Sequence, residues 1–113
     1  MPSQKLLFEV RRKKSHYFLE AKRYNTVDDL KELLVSVTNI PKRSMHLWTV
    51  DEGLNPVERM QSNLSLSYYG FTAESANEFA PAVIGLQVIG EEDQLDITPV
   101  SFAENNNTGS SMR

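Results

Sequence analysis

Few residues in this sequence could do chemistry. His16 and His46 are the only histidines. A zinc site needs several ligands at set spacing, such as two histidines one helical turn apart. These two lie in separate segments of alternating polarity and read as surface strand histidines. There is no cysteine, which excludes a thiolate nucleophile, a disulfide and cysteine-ligated zinc. Serine catalysis needs an activated hydroxyl and a buried orienting acid, and nothing marks either. Asp28 and Asp29 could pair as acid and base. They also open a helical segment, where carboxylates complement the helix dipole, and that role suits them better. Gly85 and Gly90 do not form a phosphate-cradling loop. The expectation is a protein with no catalytic residue, no metal and no cofactor.

With chemistry scarce, the elements themselves must carry the function. The 113 residues suit one domain, and 40% hydrophobic with 24% charged is near the globular average. In "LLFEVRR" the residues Leu6, Phe8 and Val10 share one face, opposite Leu7, Glu9 and Arg11. "HYFLEAK" resumes the alternation with Tyr17, Leu19 and Ala21. Two such runs around the charged "RRKKS" predict a β-hairpin. "TVDDLKELLVSVTNIP" predicts a helix with Thr26 as N-cap and Asp29 completing a near capping box. Val27, Leu30, Leu34 and Val37 form its apolar stripe, and Pro41 stops it. "MHLWTV" reads as a strand and "DEGLNPVERMQSN" as a loop broken by Gly53 and Pro56. "LSLSYYGF" supplies anchors at Leu64, Leu66 and Phe71. "PAVIGLQVIG" is the last strand, with Ile84, Leu86 and Val88 on one face. The acidic "EEDQLDITPVSF" and the polar "AENNNTGSSMR" follow, the latter with the composition of a disordered tail. Hairpin, helix, strand, irregular section and strand predict an α+β fold with a mixed sheet packed on one main helix.

Charge is divided along the chain. Residues 1–50 hold ten Lys/Arg against five Asp/Glu, whereas residues 51–113 hold two against ten. The basic residues come in short clusters at expected turns, without interleaved aromatics, so a solvated face is favoured over a nucleic-acid site. "RRKK", residues 11–14, reads as a hairpin tip kept soluble by charge, with nuclear targeting or an acidic partner as the alternatives. Neither a signal peptide nor a membrane span is expected. The composition is that of a soluble intracellular protein.

The helix and its neighbours then carry a resemblance. The spacing from Val27 through Leu30 and Leu34 to Ile40-Pro41 is similar to that of ubiquitin. So are "HLW" after the proline, "SLSYYGF" at a short-helix position, and "VIGLQV" as the last strand. A more specific resemblance joins "VRRKK", "AK" before the helix, "GFT" with a polar loop, "APAVIGL" and an acidic tail with Ile97-Thr98-Pro99. Together these resemble the elongin B family, ubiquitin-like proteins with a C-terminal extension. The match runs over roughly residues 5 to 90. It departs at the 51–63 loop, which carries "NPVERM", and after Phe102, where the family's longer Pro-rich tail is not visible.

The resemblance implies a ubiquitin-like β-grasp over residues 1–90 and a partly disordered tail over 91–113. It implies a non-catalytic adaptor that forms a heterodimer with elongin C. That pair links BC-box substrate receptors to cullin-RING ubiquitin ligases and, with elongin A, belongs to an RNA polymerase II elongation factor. Nucleus and cytoplasm are the implied locations, with no direct contact to nucleic acid or membrane. The alternative is another ubiquitin-like domain docking to a proteasome or ubiquitin receptor. A conjugated modifier would need a C-terminal Gly-Gly, which "SSMR" does not supply.

An adaptor needs exposed apolar or edge-strand surface. The candidates on the hairpin are Leu7, His16 and Phe18. In the tail they are Leu95, Ile97, Pro99, Val100 and Phe102, a segment that could order on a partner or pack back on its own domain. Trp48 is a possible second surface, where ubiquitin exposes an apolar recognition residue; the alternative is packing against Val88 or Ile89.

Overall fold

The computed structural model describes residues 5–98. Expectations for Pro99, Val100 and Phe102, and for disorder in the distal tail, lie outside the described residues. The hairpin consists of β1 (Lys5–Arg12) and β2 (Ser15–Lys22), paired antiparallel. Leu6, Phe8 and Val10 are fully buried, and Leu19 and Ala21 face them across the pair. The alternation in the sequence is therefore the alternation of the sheet. The turn is shorter than the charged run suggested. Arg11 and Arg12 belong to β1, leaving Lys13 and Lys14 as the connection, with Lys13 left-handed at φ 52°.

Helix α1 (Val27–Thr38) starts where its cap dictates. The Thr26 hydroxyl accepts from the Asp29 amide at 3.2 Å, and the Asp29 carboxylate accepts from the Thr26 amide at 2.9 Å. Two otherwise orphaned donors are satisfied reciprocally. The Thr26 amide holds the Asp29 carboxyl below its ordinary pKa. Asn39 ends the helix in the left-handed conformation, its amide returning to the Val35 carbonyl. Replacing Thr26 with Ala should cost about 1 kcal/mol, read as a lower urea midpoint at unchanged slope.

Val27, Leu30 and Leu34 are buried, as the spacing predicts. Val37 is not on the buried stripe, being 53% exposed. Lys31 is buried instead, which rotates the stripe's centre away from the side that Val37 shares with exposed Leu33.

The chain continues through a 3₁₀ turn (Lys42–Ser44) to β3 (Met45–Val50). The segment expected as a loop contains a strand, β4 (Pro56–Met60), paired antiparallel with β3. Pro56 opens that strand on the sheet edge, where its missing N–H costs nothing. Only Met60 of the strand is buried, so no apolar alternation announced it. The connecting turn is closed by the Asp51 carboxylate, which accepts from the Gly53 and Asn55 amides at 2.9 Å each.

After a second 3₁₀ turn (Leu66–Tyr69), β5 (Ala82–Val88) completes the sheet. The strand order is β2-β1-β5-β3-β4. β5 runs parallel to β1 and antiparallel to β3, making the sheet mixed. One face, lined by Phe8, Val10, Leu47, Ile84 and Leu86, shares a single core with α1. Phe71 joins it edge-on to Phe8, with ring centroids 5.0 Å apart. "GFTAESANEFAPAVIGLQV" is thus a core strand and its entry loop. The loop is tied down early: the Leu7 amide donates to the Ala76 carbonyl at 3.0 Å, and Ala76 is buried.

Candidate interaction surface

The face of the sheet turned away from α1 carries the residues singled out for binding. Strand alternation sends Leu7, Glu9 and Arg11 of β1 and His16, Phe18 and Glu20 of β2 to that side. β2 ends the sheet, so its outer backbone groups have no strand partner among the described residues. Phe18 is 68% exposed. It lines a shallow cleft of about 370 Å³ with Leu7, Glu20, Glu78 and Pro81. Leu7 also lines the adjoining depression that contains Phe79, which is 91% exposed. Phe18, Leu7 and Phe79 thus form an apolar strip that begins at an open strand edge. The sequence pointed to Leu7 and Phe18 but missed Phe79. The signal was a large aromatic set among polar residues in a loop.

His16 plays a local part. Its Nδ1 pairs with the Glu9 carboxylate across the hairpin. His46 lies on β3, separated from β2 by both β1 and β5, so the histidines share no site. Among the described residues, no group of three or more possible metal ligands gathers, and no helix is long and apolar enough to cross a membrane.

The acidic segment follows the sheet back to the hairpin tip. Glu91 and Glu92 meet the Arg12 guanidinium at 3.0 and 2.5 Å. The Lys13 amide donates to the Asp96 carbonyl at 2.5 Å, and the Thr98 amide donates to the Lys13 carbonyl at 2.8 Å. Arg11, buried, donates to the Thr98 carbonyl at 3.2 Å. "RRKK" is therefore not simply a solvated tip, because two of its arginines are engaged by the chain's own tail.

Leu95 and Ile97 turn onto the sheet at Gly85. A Cβ on Gly85 would come within 2.6 Å of the Leu95 side chain and 3.2 Å of Ile97. Glycine is needed here for close approach, not for an unusual φ. Of the two arrangements open for the tail, residues 91–98 adopt the one packed on their own domain.

Glu92 is the clasp of this arrangement. Burial alone would raise its pKa, but hydrogen bonds from Arg12 and the Val88 amide outweigh that and lower it. A lowered folded pKa contributes stability above the ordinary glutamate value of about 4.3, and the contribution is lost as pH falls through the lowered one. The protection of the Thr98 amide, its exchange rate compared with that of an unstructured peptide at the same pH, should therefore fall on acidification below that value. Glu92→Gln should abolish the acid dependence and weaken the clasp by about 1–3 kcal/mol.

Trp48 is half-buried on the same outer face, opposite Gly85 and Arg59, and its indole N–H donates to the Gln87 side chain at 2.9 Å. Val88 points to the core side, so the alternative of Trp48 packing on Val88 fails on strand parity.

No family model matches the chain. Among solved structures it is similar to the ubiquitin-like domain of the Arabidopsis thaliana protein At2g32350. The solution NMR structure of that domain shares 21% identity, with a TM-score of 0.60, over 81% of this chain and 87% of that one. A structure of the same protein combining evolutionary couplings with sparse NMR data gives a TM-score of 0.61 at 21% identity. It covers 80% of this chain and 94% of the other. At that identity the likeness shows the fold: the chain is a ubiquitin-like β-grasp.

Proposed function

We propose that this chain is a non-catalytic adaptor of the elongin B kind, a ubiquitin-like domain with an acidic tail that pairs with elongin C. The observation that carries the proposal is the apolar strip of Phe18, Leu7 and Phe79 beside the open edge of β2. An edge strand offers backbone groups to a second chain, and exposed aromatic residues beside it supply buried area on association. The sequence motifs shared with the elongin B family support the choice of partner. Through elongin C the chain would serve BC-box receptors and cullin-RING ligases, and with elongin A the RNA polymerase II elongation factor, in nucleus and cytoplasm. Leu7 and Phe18 are the contacts proposed on the domain, with His16 at the hairpin's edge. Leu95 and Ile97 would contribute by holding the tail, and Pro99, Val100 and Phe102 are the further contacts proposed in it.

A second reading has one observation in its favour. Trp48 is half-exposed on β3, where a ubiquitin-like domain can meet a proteasome or ubiquitin receptor. Co-expression with elongin C of the same organism, followed by size-exclusion chromatography with light scattering, tests the proposal. A one-to-one complex supports the adaptor. Two separate monomers overturn it and leave receptor docking through Trp48.

A further inference from the structure

A second site lies at the opposite end of the sheet from the hairpin strip, where β4 stops beside α1. A cleft of about 440 Å³ opens there, and Lys31, Lys42, Arg43, His46 and Arg59 line it together with Asp28. Four cations line it against Asp28, and Glu32 pairs one of them from outside, which leaves an excess of two positive charges.

The charges are unevenly compensated. Lys42 is held at the rim by Asp28 at 3.1 Å and Glu32 at 2.7 Å. The one acid in the cleft is thus already engaged. Arg43 and Arg59 are exposed and make no ion pair among the described residues. Lys31 is only 7% exposed, and its ammonium reaches a neutral group, the Ser62 hydroxyl, at 2.8 Å. A buried ammonium beside a hydroxyl is desolvated without being neutralised.

The surroundings register this field. Burial lowers the Lys31 pKa, with Arg59 and Lys42 adding to the effect against the pull of Asp28. Burial lowers the His46 pKa as well, and Arg59 and Lys31 push it in the same direction. Protonating His46 would add a further charge to an uncompensated group.

We propose that this cleft binds a phosphate dianion, the group carried by a phosphate monoester. A single carboxylate would cancel one charge of the two, whereas a phosphate brings about two negative charges and several acceptor oxygens. The guanidinium forks of Arg43 and Arg59 match such oxygens, and Lys31 supplies a point charge at the floor. The site is independent of the elongin C proposal, since none of its residues belongs to the hairpin strip.

NMR titration of the full chain with inorganic phosphate, at constant ionic strength, tests it. The expected result is saturable shifts confined to Lys31, residues 42–46 and residues 59–62, with the His46 pKa moving up on saturation. Arg59→Gln and, separately, Arg43→Gln should each weaken binding by about tenfold. Both side chains are exposed, so folding should survive, and the unchanged remainder of the spectrum verifies it. Shifts that chloride reproduces, or that neither substitution alters, would overturn the proposal. A phosphoserine peptide is then compared with inorganic phosphate. Tighter binding of the peptide assigns a protein-borne phosphate, and equal binding assigns the free anion; either order supports the site.

Discussion

Replacing Phe8 with Ala should destabilise the domain by about 3–5 kcal/mol, the largest stability loss expected from a single substitution here. Phe8 is fully buried on the central strand pair of the sheet, between β2 and β5. It contacts Phe71 edge-on and faces Leu19 across the hairpin. Removing its ring forfeits apolar transfer free energy and leaves a cavity that strands paired on both sides cannot close. A small domain has only about 5–15 kcal/mol in total, so the variant should be partly unfolded near physiological temperature. Urea denaturation followed by Trp48 fluorescence gives the difference. A loss below about 1 kcal/mol would mean that the sheet relaxes far more freely than its two-sided pairing allows.

Replacing Phe18 with Asp should do the reverse, leaving the domain folded with a loss of only about 1–2 kcal/mol from the strand and from Glu9 opposite, while disabling the proposed complex with elongin C. Phe18 is 68% exposed, so little stability rests on its ring. Buried at the centre of an interface, an aromatic anchor is worth about 2–4 kcal/mol, or roughly 30- to 1000-fold in affinity. An aspartate there adds a desolvated charge beside Glu9, its cross-strand neighbour. Calorimetric titration of parent and variant against elongin C reads the difference directly. Trp48→Ala serves as the control, because the hairpin interface predicts no loss from it.

The parts of the fold legible in the sequence were those written in periodicity. The period-two runs of β1, β2 and β5 and the capped stripe of α1 each bury one face, and burial is what the pattern records. Strand β4 was illegible for the same reason. Four of its five residues are exposed, it begins with proline, and its stability comes from pairing with β3, which leaves no trace in local composition. Arg11 and Arg12 misled because a run of four cations looks like a solvated turn, whereas their partners Glu91, Glu92 and Thr98 lie some eighty residues away.

The interaction strip was half legible. Leu7 and Phe18 announced themselves as large apolar residues on the polar side of an alternation. Phe79 did not, because loops carry no parity from which to deviate. The cationic cleft was not legible at all. Lys31, Arg43, His46 and Arg59 come from α1, a 3₁₀ turn, β3 and β4, and only the antiparallel return of β4 beside β3 gathers them.

Amide hydrogen exchange of the chain, alone and saturated with elongin C, tests most directly whether the hairpin edge is the interface. Pairing on the open edge predicts slowed exchange at outward-facing amides of β2, together with Leu7 and the loop around Phe79. Slowed exchange centred instead on Trp48 and β4, or none on adding elongin C, would contradict it.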